Sequence, residues 1–482
     1  LPPVIRHQFG LVGDTVVVSG QLPDSSCEYT REAAYRVYQM PDPHQEDLLS
    51  RLLSYRQEMA ILCGFPSFAH RALGGSLAET PELVSSFLTD VSDALRPLAQ
   101  QDYAAMSAMK KKQNKNAKEL GLWDVCYYTG IAKHEVLTGA NVGKSPSLSH
   151  YFPLGSVMQG LNHLLQQLFG VSMTLCIAER GEVWADDVHK LAVSDEDGSL
   201  LGYIYCDFTE RAGKSTQDCH FTIRGGKELA DGSYQNPVVV VQLSLPPASW
   251  SAPPLLTPSM VENLFHEMGH ALHSMLARTR YQHVTGTRCS TDFAEVPSIL
   301  MEFFASDPRV LRSFACHYKT GEPMPQQLMD IMVKSKSVFM ASEMQTQVFY
   351  SAVDQRYHSA VSWDSVSTTD LLKEEHNKHY GLPYVDNTAW QLRFSHFVGY
   401  GGKYYAYLVS RAVASWIWQT YFVQDPFSRE AGTRYRTEVL QHGGGVPPRQ
   451  LVANFLDKEV TAKSLTTALI SDLESKREAL AA

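Results

Sequence analysis

The segment FHEMGHALHSML, Phe265–Leu276, restricts the fold of this chain more than any other part of its sequence. Three histidines and one glutamate lie within eight residues there, among apolar residues that recur every three or four positions. That periodicity is typical of an amphipathic α-helix with one buried face. Thr257 followed by Pro258 is typical of a helix start. We therefore predict a helix over about 258–278.

The spacing of the first two histidines predicts a metal site. His266 and His270 are four residues apart, so on a helix they lie within about 40° of each other. Both imidazoles can then reach one zinc ion at about 2.0 to 2.1 Å. Glu267 is placed to accept a proton from a metal-activated water rather than to bind the metal. The alternative is a helix that carries histidines without a metal; we favour the metal site because the motif follows a predicted sheet directly.

His273 lies on the same predicted helix face but cannot complete this site. Seven residues place it roughly 10 Å along the axis from His266, too far to share one tetrahedral ion. We expect it to face substrate or to support a ligand. The HExxHxxGxxH class is excluded, because it needs Gly at 273 and His at 276, where this chain has His273 and Leu276.

The remaining ligand is expected in STDFAEVPSILMEFF, Ser290–Phe304. Glu295 is the best candidate, because it stands just before an apolar segment that can pack as a helix against the histidine helix. Asp292 and Glu302 are rivals for the ligand role. Their structural alternatives are a helix cap for Asp292 and a solvent-facing charge for Glu302.

Short β-branched runs separated by turn residues predict a small, antiparallel sheet over about 171–246. A DEDG turn at Asp195–Gly198 predicts a hairpin between two of the strands. The predicted strands are MTLCIAE (173–179), KLAVSD (190–195), LLGYIYCDF (200–208), CHFTIR (219–224) and PVVVVQLSL (237–245).

Before this sheet the apolar residues recur at helical spacing, which predicts helices of a bundle or of a solenoid wall. TPELVSSFLTDVSDAL begins with an N-cap Thr80 and a proline at the first helical position. Ser156–Phe169 is predicted to end at a glycine stop. We expect a helical domain over 1–150 and a catalytic domain over 151–482.

Charge and composition limit the partners. The net charge of −9 argues against nucleic-acid binding, which needs a basic surface. The lysine run Met109–Lys118 is interpreted as the solvated face of a helix. No apolar run reaches the roughly 18 residues that span a bilayer, so we expect no membrane insertion. The eight scattered cysteines predict free thiols in a reducing compartment.

Two glycine-rich segments follow the histidine helix. FSHFVGYGGKYYAYL, about 394–408, combines three glycines with four tyrosines, which suits a mobile loop that brings phenol donors to an oxyanion. The alternative is that Tyr404, Tyr405 and Tyr407 only begin a helix with their rings in the core. HGGG at His442–Gly445 is interpreted as a flexible loop or helix stop, because no GxSxG nucleophile motif accompanies it.

HEMGHALH followed by DFAEVPS resembles the thimet oligopeptidase and neurolysin family of zinc peptidases, peptidase family M3. The resemblance includes FSHFVGYGGKYYAYL, SHYFPLGSVMQGLNHLLQQLFG (Ser149–Gly170) and DFTERAGKSTQDCHF (Asp207–Phe221), and it runs over nearly the whole chain. It implies a mainly α fold in which two helical domains flank a deep substrate channel. A small antiparallel sheet then lies next to the zinc helix. Family members are longer at the N-terminus, so this sequence begins partway through the first domain.

The resemblance also implies the roles of the site residues. His266, His270 and Glu295 match the ligands of one Zn²⁺ ion, and Glu267 matches the catalytic glutamate. The loop residues implied to bind substrate and to stabilise the transition state are His396, Tyr400, Tyr404 and Tyr407.

The implied activity is hydrolysis of short or unfolded peptides by a monomer. The implied substrates are imported mitochondrial precursor proteins, from which an N-terminal octapeptide is removed in the mitochondrial matrix after a first processing cleavage. The alternatives are a general oligopeptidase that degrades free peptides, and an inactive fragment that only binds zinc or peptide.

Overall fold

The computed structural model describes residues 5–12, 15–18, 22–138, 147–363 and 365–481. Two short strands, β1 (Gly10–Val12) and β2 (Thr15–Val17), pair antiparallel near the start. The helices that follow before the main sheet are α1 (Glu28–Tyr38), α2 (Pro43–Leu62), α3 (Phe68–Ala72), α4 (Pro81–Gln113), α5 (Val125–Thr138) and α6 (Leu154–Phe169).

Helix boundaries follow the predicted capping residues. The Thr80 side chain accepts a hydrogen bond from the backbone N–H of Leu83 at the start of α4. Helix α6 ends at Gly170, whose φ of 69° is the left-handed conformation that glycine adopts without strain. Both predicted helix ends are therefore confirmed.

The lysine run lies at the end of α4 and beyond it, and most of it is solvated as predicted. Lys110 differs, because it is only 2% exposed. Its ammonium donates to Asp124 at 2.7 Å and to Glu28 at 2.7 Å. The prediction of a solvated face is wrong at this residue, since two carboxylates that are distant in sequence compensate its charge.

The main sheet has five strands in the order β3-β4-β5-β9-β6, with a two-stranded β7-β8 pair beside it. Three of its pairings are antiparallel as predicted, but β5 and β9 are parallel. Strand β6 lies at the edge of the sheet, and β9 lies between β5 and β6. Strand β9 therefore runs antiparallel to β6 and in the same direction as β5. The strands are β3 (Ser172–Cys176), β4 (His189–Ser194), β5 (Leu200–Thr209), β6 (Cys219–Arg224), β7 (Lys227–Glu228), β8 (Tyr234–Gln235) and β9 (Val238–Leu245).

The rest of the described chain is helical. Its helices are α7 (Pro258–Leu276), α8 (Thr291–Ala294), α9 (Val296–Ser306), α10 (Pro308–Leu311), α11 (Gln326–Lys336), α12 (Met340–Tyr357), α13 (Thr368–His379), α14 (His396–Gly399), α15 (Ala406–Ile417), α16 (Arg429–Glu438), α17 (Pro448–Leu456) and α18 (Ala462–Ala481). One π-helical turn follows α15 at Trp418–Phe422.

Helix α7 packs against β5, β6 and β9 on one side and against α9 on the other. The main hydrophobic core is continuous from α4 through α6, the sheet and α7 to α18. The predicted mainly α fold with a small sheet beside the histidine helix is confirmed. The domain division near residue 150 stays a prediction. None of the helices among the described residues has the length and apolarity that a membrane crossing needs.

Candidate metal centre and tyrosine loop

Helix α7 presents the two histidines of the motif side by side. Thr257 caps the helix, as predicted, by accepting a hydrogen bond from the N–H of Met260. The last six residues of the helix, Ala271–Leu276, are buried, whereas His266 and His270 keep 21% and 12% of their side-chain surface exposed. Their ring centroids are 5.0 Å apart. The partial exposure leaves both imidazoles open to a ligand.

Glu295 reaches both histidines from the junction of α8 and α9. Its Oε2 lies 3.3 Å from Nε2 of His266 and 3.2 Å from Nε2 of His270. Two ligands bound tetrahedrally to zinc at 2.0 to 2.1 Å are about 3.3 Å apart. The three donor atoms lie within 4.8 Å of one another. The donor set therefore fits one zinc-sized ion, and among the described residues it is the candidate metal-binding cluster.

Further side chains orient these three. Oε1 of Glu302 lies 2.6 Å from Nδ1 of His266, which leaves Nε2 of that ring directed at Glu295. The Ser298 hydroxyl donates to Oε2 of Glu295 at 2.9 Å. Metal-binding histidines in proteins usually bond to a carboxylate, a backbone carbonyl or a water through the other ring nitrogen. Glu302 is thus a partner of a candidate ligand, neither a ligand itself nor a solvent-facing charge.

Burial and charge act against each other in this cluster. Burial disfavours the charged form of His266, but hydrogen bonds with Glu295 and Glu302 outweigh it and raise the pKa of His266 to about 10. Burial likewise opposes ionisation of Glu295, yet hydrogen bonds with His266 and His270 hold its pKa well below the usual range. A cation at the Nε2 atoms therefore competes with a proton on His266.

Glu267 lies beside the triad and is only 7% exposed. Its Oε2 accepts no hydrogen bond from any described residue. Burial raises the pKa of this carboxyl. The charges of His270 and His266 lower it and the charge of Glu295 raises it, and the net shift is upward. A carboxylate with a raised pKa and an unpaired oxygen is suited to accept a proton.

Asp292 has a different environment from the one predicted. Its carboxylate accepts the N–H groups of Leu77 at 3.0 Å and Ala78 at 2.9 Å, and the hydroxyl of Tyr405 at 3.0 Å. These bonds use both of its oxygens, and it is not the N-cap of α8, which is Ser290. Asp292 instead joins the segment before α4 to the segment that carries Glu295.

The expectation that His273 faces substrate or supports a ligand is wrong. The residue is fully buried, with its ring 6.1 Å from that of Phe293, and neither ring nitrogen has a hydrogen-bond partner among the described residues. Burial lowers the pKa of His273 to about 3. The physical reason is that the last six residues of α7 are all buried, so the helix face that carries His266 is covered by the time the helix reaches His273.

The tyrosine loop lies on the other side of Glu295. The rings of Tyr400 and Tyr407 are stacked at 5.7 Å and 16°. Burial raises the pKa of both phenols, and the charge of Glu295 raises it further, so both hydroxyls lie within electrostatic range of the metal cluster. His396 is half-buried, and its ring is 6.0 Å from that of Tyr400 and 6.1 Å from that of Tyr407.

Tyr404 and Tyr405 differ from these. Tyr404 is 7% exposed, and its hydroxyl donates to Gln347 at 2.8 Å. Tyr405 is 2% exposed and belongs to the core. The alternative of rings in the core therefore describes Tyr405, whereas Tyr400 and Tyr407 remain partly exposed beside the metal cluster.

The HGGG segment is a close-packed helix stop. A short 3-10 helix, Leu440–His442, ends at Gly443, where a Cβ atom would lie 2.5 Å from the carbonyl oxygen of Val284. At Gly444 a Cβ atom would lie 2.4 Å from the carbonyl oxygen of Arg288. The glycines are needed because two backbone segments touch here.

Sequence reasoning missed the residues that support the loop. Asp354 on α12 and Arg56 on α2 bind the segment between His396 and Tyr404, and His358, just after α12, bonds to both of them. The spacing of Asp354 and His358, one helical turn apart, was a weak signal. No pattern in the sequence connects Arg56 to a loop more than three hundred residues away.

Comparison with known proteins agrees with this architecture. The family model described as Peptidase family M3 matches residues 22–470. The chain therefore belongs to peptidase family M3.

Among curated proteins, the chain is 52% identical over 475 residues to the human protein named mitochondrial intermediate peptidase, covering 98% of this chain and 66% of the relative. It is 36% identical over 454 residues to the mitochondrial intermediate peptidase of Arabidopsis thaliana, covering 94% of this chain and 64% of the relative. The chain thus spans slightly less than two thirds of the length of these relatives.

Two solved structures share the fold. PZ peptidase A with inhibitor 2 matches with a TM-score of 0.52 at 12% identity, over 95% of this chain and 70% of that one. A putative peptidase from Chlamydophila abortus matches with a TM-score of 0.53 at 15% identity, over 95% of this chain and 65% of that one. At these identities the likeness concerns the fold alone.

Proposed function

We propose that this chain is a zinc metalloendopeptidase that hydrolyses short or unfolded peptides. The observation that carries the proposal is the convergence of His266, His270 and Glu295 on one point, with the buried carboxylate of Glu267 beside it. Membership of a peptidase family supports the same reaction class.

The proposed ligands of a single Zn²⁺ ion are Nε2 of His266, Nε2 of His270 and a carboxylate oxygen of Glu295. When bound, zinc lowers the pKa of a coordinated water toward about 7 and polarises the scissile carbonyl. Glu302 and Ser298 keep His266 and Glu295 oriented through the hydrogen bonds described above.

Glu267 acts as the general base in this proposal. Its unpaired Oε2 takes a proton from the attacking water, and the resulting carboxylic acid then gives that proton to the leaving amine. Burial in a weakly solvated environment favours the neutral form of Glu267, which is the form that has to exist between the two transfers.

The tyrosine loop stabilises the developing oxyanion. Tyr400 and Tyr407 keep their protons, because burial holds the pKa of each phenol above its ordinary value. They can therefore donate hydrogen bonds to a negatively charged oxygen. We assign His396 to substrate binding, together with Tyr404, whose ring lies 5.0 Å from the imidazole.

The proposed substrates are imported mitochondrial precursor proteins that have been cleaved once. From these the enzyme removes an N-terminal octapeptide in the mitochondrial matrix, acting as a monomer without nucleic-acid or membrane partners. Support comes from the 52% identity to the human relative and its name. A cavity of about 360 Å³ beside Glu302 is lined by both acidic and basic side chains.

The test compares the parent with Glu267→Gln at matched zinc content, using a quenched peptide with a presequence-like N-terminus. Loss of the general base should lower the rate at least about 100-fold while zinc is retained. Glu474→Gln, which changes an exposed carboxylate of α18, is the control and should keep the parent rate. Equal rates for parent and Glu267→Gln would refute the general-base role of Glu267, and a zinc-loaded parent without turnover would refute the peptidase proposal in favour of a binding protein. A parent that cleaves unrelated short peptides equally well would instead indicate a general oligopeptidase.

A further inference from the structure

A buried carboxylate holds the tyrosine loop from one side. Asp354, near the end of α12, is 1% exposed. Its Oδ1 accepts the N–H of Gly402 at 2.9 Å, and its Oδ2 accepts the N–H of Tyr404 at 2.9 Å. Each oxygen of the carboxylate thus fixes one backbone amide of the loop just after Tyr400.

An arginine from the N-terminal part of the chain holds the loop on the other side of Tyr400. Nη2 of Arg56, on α2, donates to the carbonyl oxygen of Val398 at 2.7 Å, and Nη1 donates to that of Phe397. The guanidinium carries several donors in a fixed plane, so it can bind two successive carbonyl groups at once.

His358 connects the two. Its Nδ1 lies 2.8 Å from the carbonyl oxygen of Asp354, an arrangement in which Nδ1 carries the proton and donates. Nε2 is then an acceptor, and Nη1 of Arg56 lies 3.1 Å from it. The imidazole is fully buried, so solvent does not compete for its ring nitrogens. We call Arg56, Asp354 and His358 the loop clamp.

The loop lies directly on the clamp. A Cβ atom at Gly401 would lie 2.4 Å from Nη1 of Arg56 and 2.6 Å from Nε2 of His358. Gly402 has φ of 73°, a left-handed conformation that favours glycine. Gly401 is therefore explained by the close approach of the clamp and Gly402 by its backbone conformation, and the clamp hydrogen-bonds the backbone on both sides of Tyr400.

We propose that Asp354 and Arg56 are positioning residues for catalysis, which hold Tyr400 and Tyr407 at the distance that an oxyanion requires. The inference rests on the proposed function. A donor is effective only within a few tenths of an ångström of its place, and a misplacement of about 1 Å can reduce a rate about 100-fold. A purely structural role would instead lower stability without acting through the tyrosines.

The experiment measures kcat and KM of the zinc-loaded parent and of Asp354→Asn and Arg56→Gln, each also in a Tyr400→Phe, Tyr407→Phe background. With the tyrosines present, each clamp substitution should lower kcat about 10-fold to 100-fold and change KM less than about threefold. In the double phenylalanine background the same substitutions should lower kcat less than about threefold, because their effect passes through the missing hydroxyls. Equal effects in the two backgrounds would overturn the inference.

Asp307→Asn is the matched control. Asp307 also accepts a backbone N–H, from Arg309 at 2.8 Å, but it caps α10 away from the loop. It should leave kcat at the parent value. If Asp354→Asn does not fold, Arg56→Gln carries the same cycle, since Arg56 is only partly buried.

Amide hydrogen exchange separates this inference from the proposed function. In either clamp variant the amides of residues 397–404 should exchange at least about tenfold faster than in the parent. Unchanged exchange would overturn the inference. Faster exchange with parent kcat would also overturn it, because the clamp would then hold the loop without serving catalysis. A parent without turnover refutes the proposed function, and with it the catalytic role, whatever the exchange shows.

Discussion

At the scale of single residues, four carboxylates near the motif have four different environments. Glu295 reaches two histidine nitrogens, and Glu302 bonds to the outer nitrogen of His266. Glu267 has one oxygen without a partner among the described residues, and Asp292 is bonded to two backbone amides and a phenol. All four residues have the same functional group. The roles of the four carboxylates differ because each one has different bonding partners.

Removing the outer partner of His266 should weaken metal binding. Glu302→Gln keeps the shape of the side chain but removes the negative charge at 2.6 Å from Nδ1. We expect the zinc dissociation constant to rise about 10-fold to 100-fold, which competition with a chromophoric chelator measures. Glu262→Gln, which removes a carboxylate of α7 bonded to Lys336, is the control. An unchanged dissociation constant for Glu302→Gln would contradict the assigned partnership.

At the scale of elements, the metal cluster depends on how closely α7 and α9 approach. Gly269 lies between the two candidate histidine ligands in sequence, and a Cβ atom there would lie 2.7 Å from the Cα of Ser298. The contact sets the distance between α7 and the helix that follows Glu295. A glycine inside a helix is unfavourable by propensity, so close packing explains its presence here.

Gly269→Ala should therefore separate the two helices. We expect the free energy of unfolding to fall by about 1–3 kcal/mol through overpacking, and metal affinity to fall with it. Gly155→Ala in α6, where no atom of the described residues lies within 4 Å of the added Cβ, should leave stability unchanged or raise it by up to about 1 kcal/mol. Denaturant unfolding of both variants decides the matter. Equal stability of the two variants would show that α9 can move away from α7 without lowering the free energy of unfolding.

At the scale of the whole molecule, Asp292 and Arg56 tie the helices before residue 150 to the segment that carries Glu295 and to the tyrosine loop. Asp292 accepts the amides of Leu77 and Ala78, and Arg56 donates to the tyrosine loop. Helix α4 also packs against α12 and α18. The two predicted domains thus share contacts at the metal cluster and at the loop.

Asp292→Ala should destabilise the whole fold, because two buried N–H groups and the Tyr405 hydroxyl lose their acceptor. We expect the free energy of unfolding to fall by about 2–5 kcal/mol. Asp292→Asn keeps one oxygen acceptor and should lie between the parent and Asp292→Ala. Chemical denaturation measures all three. A fall of less than about 0.5 kcal/mol for Asp292→Ala would mean that these bonds are replaced by others.

Acid should destabilise the fold through a buried histidine remote from the metal cluster. His376 is 3% exposed, and burial lowers its pKa from 6.5 to about 4. As the pH falls below about 6.5 the unfolded chain takes up a proton that the folded chain does not, so stability is lost between about pH 6.5 and pH 4, by up to about 3 kcal/mol. His376→Phe keeps the stacking on Tyr380 and should reduce this loss. Identical pH dependence of unfolding in parent and variant would contradict the assignment.

Local sequence patterns determined the elements. Apolar periodicity and capping residues placed α4, α6 and α7, and alternating β-branched runs placed the five strands, because these signals act within a few residues along the chain. The four-residue spacing of His266 and His270 determined that both point the same way from α7, since helix geometry fixes their relative direction.

Tertiary structure decided what the local patterns left open. The sequence alone left Glu295, Asp292 and Glu302 as rivals, and packing of α7 against α9 brought only Glu295 to both Nε2 atoms. The parallel pairing of β5 with β9, the burial of His273 and the loop clamp likewise depend on contacts between residues distant in the chain. Helices and turns are selected by neighbours in sequence, whereas the partner of a carboxylate is selected by whatever the folded chain brings within hydrogen-bond distance.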